Sequence, residues 1–231
     1  MLCREDENTV VDLGERSDMA NAWGADFYYS IHSDASGNNN TTVTLFGGWM
    51  SNGVETEKTP NGGKAYGEIL NPNLTNVMKE FAVTGTRGNY YDRCYYYPGE
   101  THHANQYPYL SVNRESNMAS LLSEGGYHTI AAQQQLNINA EYKRIEALAA
   151  FQSLLKHHGL KVPAQTMLAG VISNSENQVP INGVTVTVDG KTYTTDTYES
   201  AFSRFTKNEN LIHNGFYLFE GLTAGQTYDV T

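Results

Sequence analysis

The chain has 231 residues, enough for one medium domain or for a medium domain joined to a small one. Hydrophobic residues make up 39% and charged residues 17%, which excludes a disordered composition, and no stretch approaches the about 18 apolar residues of a membrane-spanning segment. Since 15 Lys and Arg face 25 Asp and Glu, the formal charge is -10 without a basic block, so we expect no nucleic-acid partner.

The N-terminal stretch MLCREDENTV lacks the basic and apolar regions of a signal peptide, so any export signal would lie outside this chain. Cys3 and Cys94 lie far apart and form no Cys-x-x-Cys pair. They are therefore either one disulfide or two free thiols.

Helix and strand signals alternate in the first half of the chain. Residues 12–23 predict a helix, because Asp12 and Glu15 have capping-box spacing and a glycine follows the segment. Residues 25–34 and 41–49 predict two strands, the first buried on both faces, with a Gly- and Asn-rich turn between them.

Residues 64–80 have helical tendency but contain Pro72, which predicts a broken helix. Residues 85–109 are rich in Tyr, Gly and Pro without periodicity, which predicts a long, functional loop or an irregular hairpin. The apolar runs 109–112 and 118–122 then predict two short strands.

The clearest helix signal covers residues 139–158, where apolar residues recur at helical spacing, Asn139 is suited to the N-cap and Gly159 follows the segment. Beyond it the pattern changes to short runs rich in Val, Thr and Tyr. These predict strands at residues 168–171, 184–188, 191–195 and 216–219.

This alternation followed by closely spaced strands predicts an α/β fold, with a mixed sheet flanked by helices that is incomplete at the N-terminus, and then a small, incomplete β-sandwich domain. We expect the α/β domain to span residues 1–161 and a linker to span residues 162–166. The β-sandwich domain would then cover residues 167–231.

Two side chains that could take part in catalysis or metal binding lie at the ends of predicted strands. His32 follows FYYSI and Glu124 follows SLLS, where ligands gather in α/β sheets. A neutral imidazole can bind a metal, and a glutamate can serve as general base toward water. A lone histidine there is more often a hydrogen-bonded structural residue, however, and a glutamate is usually solvated.

The remaining histidines form no metal-binding spacing. His102 and His103 lie in the tyrosine-rich segment, and His128 lies four residues after Glu124. No known metal-binding motif supports these three histidines as replacement ligands. The histidines at 157 and 158 close a helix, where their positive charge would complement the helix dipole.

The order TVVDLGERSDMANAWGADFYYSIHSDA resembles the zinc-dependent N-acetylmuramoyl-L-alanine amidases of the amidase-3 type. Ser33 and Asp34 stand where that family usually has Ala-Asn, and the segment LLSEGGYHT and the helix EYKRIEALAAFQSLLKHHG are similar to later landmarks of its domain. The resemblance covers residues 4–159. The matching early positions are Arg4, Asp6, Leu13, Arg16, Ala20, Asn21, Ala25, Asp26, Ser30, Ile31 and His32.

This resemblance implies that His32 is a Zn²⁺ ligand, that Glu124 is the catalytic glutamate, and that the substrate is peptidoglycan in an exported location. It also implies substrate-binding roles for four further residues, which are Asn21, Ser33, Asp34 and Tyr127. The family's first histidine ligand and its glutamate ligand have no counterpart here. We therefore expect this chain to bind zinc poorly and to turn over little.

The tail from AGVISNSENQ to AGQTYDV resembles carboxypeptidase-regulatory-like, transthyretin-type β-sandwich modules, which implies a role in spacing or attachment. The resulting hypothesis is a peptidoglycan amidase. Two alternatives stay open: a non-catalytic glycan- or peptide-binding module that uses the tyrosine-rich segment, and a related zinc peptidase. The sequence does not indicate the oligomeric state.

Overall fold

The computed structural model describes residues 3–4, 6, 8–35, 38–58, 61–99, 106–164, 166–196, 207–208 and 211–231. The chain forms two compact units. The first comprises Met1–Ser33, Thr42–Asn73 and Thr86–Gly125, and the second comprises Asp34–Thr41, Leu74–Gly85 and Gly126–Thr231. The linker proposed at residues 162–166 stays a prediction, and residue 165 lies outside the described residues.

A four-stranded sheet with strand order β1-β6-β2-β5 forms the centre of the α/β part. Strands β2 and β6 are antiparallel, with Val43 opposite Glu124 and Leu45 opposite Leu122. A separate antiparallel ribbon is made by β3 and β4. The strands are β1 (Phe27–Asp34), β2 (Thr41–Phe46), β3 (Gly48–Ser51), β4 (Val54–Glu57), β5 (Gly85–Tyr91) and β6 (Ala119–Tyr127).

Strands β1 and β6 run in the same direction. The Tyr29 hydroxyl is 2.7 Å from the Ser123 hydroxyl, and the His128 N–H donates to the Asp34 carbonyl at 2.9 Å. Both contacts join residues that are 94 positions apart, and positions that advance together on two adjacent strands define a parallel pair. The sheet is therefore mixed, which confirms the predicted fold class.

Strand β1 stands at one end of the strand order, and β6 is its neighbour among the described strands. Ile31 is 57% exposed and His32 is also exposed, whereas residues 42–46 of the central strand β2 are all buried. The prediction that β1 is buried on both faces was therefore wrong. Its apolar composition reflects β propensity and one covered face.

Side-chain hydrogen bonds cap the starts of two of the helices. Glu15 accepts a hydrogen bond from the Asp12 N–H at 2.9 Å, and Asn139 accepts one from the Tyr142 N–H at 2.9 Å, which confirms both predicted helix starts. The helices are α1 (Leu13–Trp23), α2 (Lys64–Met78), α3 (Asp92–Tyr96), α4 (Ser111–Glu115), α5 (Ala131–Asn137) and α6 (Ala140–His157).

Helix α2 does not break at Pro72, contrary to the prediction. Proline removes one backbone donor, but Leu70 and Leu74 on either side of it are fully buried. Apolar burial on both sides anchors the helix across the proline.

Residues 85–109, predicted as a long loop or an irregular hairpin, contain the ordered elements β5 and α3, and residues 100–105 lie outside the described residues. The strand predicted at residues 109–112 was wrong, because α4 begins at Ser111. The buried carboxylate of Asp92 accepts the backbone N–H groups of Tyr109 and Leu110, at 3.1 and 2.9 Å. This long-range contact fixes the backbone immediately before α4.

The second unit has an aromatic core. The Phe81 ring packs against Tyr142 at 5.4 Å and against Phe216 at 5.5 Å. Tyr142 and Phe216 are almost completely buried and contact each other at 5.8 Å. Helix α6 and the C-terminal strand are therefore packed together through large side chains.

The four strands predicted in the tail are confirmed, and they form two antiparallel pairs, β7 with β10 and β8 with β9. Val186, Val188 and Phe219 form their buried cluster. The β-sandwich assignment itself stays a prediction. The strands are β7 (Met167–Val171), β8 (Thr185–Val188), β9 (Lys191–Thr194) and β10 (Phe216–Glu220).

Cys3 and Cys94 are both free thiols, which resolves the alternative that the sequence left open. Within the described part of the chain, no helix combines the length and the apolar character needed to cross a membrane.

Candidate active site

His32 and Glu124 lie on the same face of the sheet. Tyr29 and Ser123 touch through their side chains and so share the opposite face, where Tyr29 also packs against Tyr66 of α2 at 5.9 Å between ring centroids. Side chains alternate between faces along a strand. His32, three positions after Tyr29, and Glu124, one position after Ser123, therefore both project from the face that α2 does not cover.

The parallel register also places the two residues close along the strands. His32 is the sixth residue of β1 and Glu124 is the sixth residue of β6, so both lie toward the C-terminal ends of two adjacent parallel strands. An imidazole and a carboxylate at the same end of neighbouring strands can reach one small ligand between them.

The His32 ring is suited to act as a neutral base or ligand. Partial loss of hydration lowers its pKa from the ordinary value, and the positive charge of Arg16 on α1 lowers it further. The imidazole is therefore uncharged at neutral pH, which is the form that binds metals. In the sequence, Arg16 is only one of the positions that match the family, whereas the folded chain brings its charge close enough to lower the pKa of His32.

Glu124 is only 8% exposed and stands opposite Val43 in the β2–β6 pair. Val43, Leu45 and Leu122 form a buried apolar cluster on the same face, because they alternate in register with Glu124. This apolar wall excludes water on one side of the carboxylate.

Two of the predicted substrate-binding residues, Asn21 and Ser33, belong to the first unit. The Asn21 side chain donates to the Glu115 carbonyl at 2.9 Å and accepts from the Asn117 N–H at 2.7 Å, which ties α1 to the segment before β6. By alternation, Ser33 projects from the same face as Tyr29 and not from that of His32. Their substrate roles stay predictions.

The other two predicted substrate-binding residues belong to the second unit. The Asp34 carboxylate accepts the N–H of Ala35 at 2.7 Å. Tyr127 is buried, and its N–H donates to the Asn40 side chain at 2.7 Å. Roles for Asp34 and Tyr127 in binding substrate likewise stay predictions.

The described residues supply only part of a zinc site. Catalytic zinc has about three protein ligands. In the part of the chain that the structure describes, no three His, Cys, Asp or Glu side chains come together as a candidate metal site. His102 and His103 lie outside the described residues, and His128 is exposed at the end of β6.

Comparisons with known proteins agree with this architecture. A search of curated proteins finds no match. The CwlD amidase from Clostridioides difficile, solved in complex with the GerS lipoprotein, is similar over 69% of this chain and 75% of that chain, with 15% identity and a TM-score of 0.51. The shared feature is the fold.

Two further similar structures have lower TM-scores. The catalytic domain of CwlV, an N-acetylmuramoyl-L-alanine amidase from Bacillus (Paenibacillus) polymyxa var. colistinus, covers 70% of this chain and 73% of its own, with 19% identity and a TM-score of 0.49. An N-acetylmuramoyl-L-alanine amidase from Clostridium difficile 630 covers 67% and 69%, with 22% identity and a TM-score of 0.43.

The sequence itself carries the family assignment. The family model Amidase_3, described as N-acetylmuramoyl-L-alanine amidase, matches residues 1–156, more than half of the chain, and this range contains both His32 and Glu124. The chain therefore belongs to the N-acetylmuramoyl-L-alanine amidase family.

Proposed function

We propose that this protein is a peptidoglycan hydrolase that cleaves the amide bond between N-acetylmuramic acid and the L-alanine of the stem peptide. The observation that carries the proposal is the placement of His32 and Glu124 on one face of neighbouring parallel strands, in a chain of the amidase family. The family match supports peptidoglycan as the substrate and this amide as the bond that is hydrolysed. The shared face would allow His32 and Glu124 to act on the same substrate.

We assign His32 the role of a Zn²⁺ ligand, because its ring is neutral at neutral pH and projects from the same face of the sheet as Glu124. When bound, zinc polarises a carbonyl group and acidifies water. Further ligands would have to come from residues other than those described, so we expect the present chain alone to bind zinc weakly and to turn over slowly.

We assign Glu124 the role of general base and acid. Its carboxylate accepts a proton from the attacking water, whose oxygen forms the new bond to the lactyl carbonyl carbon. The amide C–N bond then breaks, and Glu124 returns the proton to the leaving nitrogen of L-alanine. Burial beside Val43 and Leu122 limits competition from bulk water.

The substrate lies in the cell wall, so we also propose that the protein acts outside the cytoplasm. For the tail we propose a β-sandwich accessory module spanning residues 167–231 and following a linker at 162–166. The two antiparallel strand pairs and the Val186–Val188–Phe219 cluster support this assignment.

Substitution of Glu124 tests the catalytic assignment. In the zinc-loaded enzyme, Glu124→Gln should lower kcat by at least about 100-fold, because it removes proton transfer, while the circular dichroism spectrum stays unchanged. The matched control is Glu68→Gln, an exposed carboxylate on α2, which covers the opposite face of the sheet. Unchanged peptidoglycan turnover in Glu124→Gln would contradict a catalytic role, and a protein that only binds would tolerate the change.

His32 has a readout that does not depend on turnover. His32→Ala should weaken Zn²⁺ binding by at least about tenfold in a competition titration with a chromogenic chelator, since it removes a ligand. Equal zinc affinity in the variant and the parent would remove His32 from the metal site.

A further inference from the structure

A surface of tyrosine and arginine side chains follows β5 in the first unit. It consists of Arg87, Arg93, Tyr95, Tyr96, Tyr97 and Tyr109, and we call it the tyrosine–arginine surface. The sequence of this segment predicts a long loop or an irregular hairpin. In the structure it is an ordered arrangement of rings and guanidinium groups on β5, α3 and the segment before α4.

Ring and cation contacts hold this surface together. Arg87 donates to the Tyr95 hydroxyl at 2.8 Å, and the Arg93 guanidinium lies 5.3 Å from the centre of the Tyr97 ring. The ring centroids of Tyr96 and Tyr109 are 4.5 Å apart. These cation–π and ring–ring contacts fix the side chains before any ligand arrives, so binding would cost little side-chain entropy.

The rings are nevertheless exposed to solvent. Tyr96, Tyr97 and Tyr109 are 39%, 41% and 37% exposed, whereas Tyr66 of the same unit is 1% exposed. A groove of about 580 Å³ is lined by residues that include Arg87, Tyr95 and Pro98, and the Tyr95 ring contacts that of Tyr96 at 5.3 Å between centroids. A contiguous exposed aromatic area of this kind marks an interaction surface.

The surface adjoins the face of the sheet that carries the proposed chemistry. Tyr95 packs against the apolar cluster of Val43, Leu45 and Leu122, and Leu122 is two positions before Glu124 on the same face. Tyr95 therefore connects the tyrosine–arginine surface to the strand that carries Glu124 through this cluster.

We propose that the tyrosine–arginine surface binds the glycan strand of peptidoglycan, so that it is a subsite for the sugars next to the muramic acid whose amide bond is hydrolysed. This inference rests on the proposed function. A pyranose ring has an apolar C–H face and a polar rim, which matches a tyrosine ring with its hydroxyl group. Guanidinium groups only donate hydrogen bonds, and the acetamido carbonyls and hydroxyls of N-acetylated sugars provide the acceptors.

Charge favours this occupant over an anionic polymer. The chain carries a formal charge of -10, which repels a long polyanion, whereas an uncharged sugar chain is unaffected. The two arginines of the surface are engaged with tyrosine rings, so they act as oriented donors between stacking platforms. The four tyrosine rings form one connected group through contacts of 4.5–5.3 Å, which offers neighbouring stacking platforms to successive sugars.

Direct binding tests the inference without catalysis. The probe is a hexasaccharide of β-1,4-linked N-acetylglucosamine, titrated calorimetrically into the full chain, with a free stem pentapeptide as the second ligand. Tyr96→Ala and Tyr97→Ala should each raise the Kd for the hexasaccharide at least fivefold, about 1 kcal/mol. The control Phe151→Ala, which removes a 47% exposed ring from α6, should leave the Kd within about twofold.

Circular dichroism verifies that each variant is folded, and Tyr97→Phe, which keeps the ring, should retain most of the affinity. Hexasaccharide binding that is absent in the parent, or equal in the tyrosine variants and the control, overturns the inference. A stem pentapeptide whose binding depends on the same tyrosines, with no effect on the sugar, also overturns it. Tyrosine-dependent sugar binding without release of stem peptides would reject the proposed hydrolysis alone.

Discussion

We expect Glu146 on α6 to make the free energy of unfolding depend on pH. Its Oε1 atom is buried and has no hydrogen-bond partner among the described residues. Burial raises its pKa from 4.5 to about 7, and nearby Lys143 offsets only part of this rise. The folded state therefore holds the proton more tightly than the unfolded chain does.

The sign and size of the effect follow from proton linkage. Below pH 4.5 the carboxyl group is protonated in both the folded and the unfolded state, so it does not change the free energy of unfolding. As the pH rises from 4.5 toward about 7, the free energy of unfolding falls. Above that pH the penalty is complete, and the rise in pKa corresponds to about 3 kcal/mol. Glu146→Gln removes the ionisation and keeps the size of the side chain, so it should stabilise the protein by about 3 kcal/mol at pH 8 and by less than about 1 kcal/mol at pH 5.

Urea unfolding of the parent and of Glu146→Gln at the two pH values measures this difference. The control is Glu176→Gln, an exposed carboxylate in the tail, which should change stability by less than about 0.5 kcal/mol at either pH. If Glu146→Gln gave the same small change at pH 5 and pH 8, the carboxylate would not be desolvated in the folded protein, and the reasoning would be refuted.

Two further substitutions test packing in the first unit. Gly63→Ala should cost more than about 2 kcal/mol in thermal unfolding, because φ at this residue is +93° and a Cβ would clash with the Ser120 carbonyl oxygen. The control Gly53→Ala, where φ is +78° and no atom lies within 4 Å of the new Cβ, should cost about 1 kcal/mol. Equal losses in the two variants would contradict the clash. Asp92→Ala should cost at least about 2 kcal/mol in urea unfolding, because it removes a buried carboxylate that accepts three hydrogen bonds, and exposed Asp18→Ala should cost far less. A loss at Asp92 no larger than at Asp18 would show that these bonds contribute little.

Local bonds explain which elements could be predicted from the sequence. The starts of α1 and α6 depend on Glu15 and Asn139, each of which bonds to a backbone N–H three residues away. The tail strands likewise follow from short runs of β-prone residues. Such signals lie within a few positions, so the sequence alone reveals them.

Contacts between distant residues explain the errors. Helix α2 passes through Pro72 because buried leucines flank it, and α4 begins at Ser111 after a segment whose N–H groups bond to Asp92, almost 20 positions earlier. The exposed edge of β1 depends on which strands lie beside it. None of these influences has a local pattern.

The candidate site could be predicted in part. His32 and Glu124 were each recognised at a strand end, but their position on one face depends on the pairing of β1 with β6, which the contact of Tyr29 with Ser123 reveals. The tyrosine–arginine surface has no periodicity in the sequence. Its order comes from ring and guanidinium contacts that only the folded chain brings together.

Mass spectrometry of peptidoglycan digested by the zinc-loaded enzyme tests the central claim most directly. With excess Zn²⁺, amidase action should release, slowly, intact stem peptides that begin with a free L-alanine, together with glycan whose muramic acid keeps an unsubstituted lactyl group, and neither product should form with Glu124→Gln. Shortened peptides, with the first L-alanine still attached to the sugar, would show a peptidase and contradict the account.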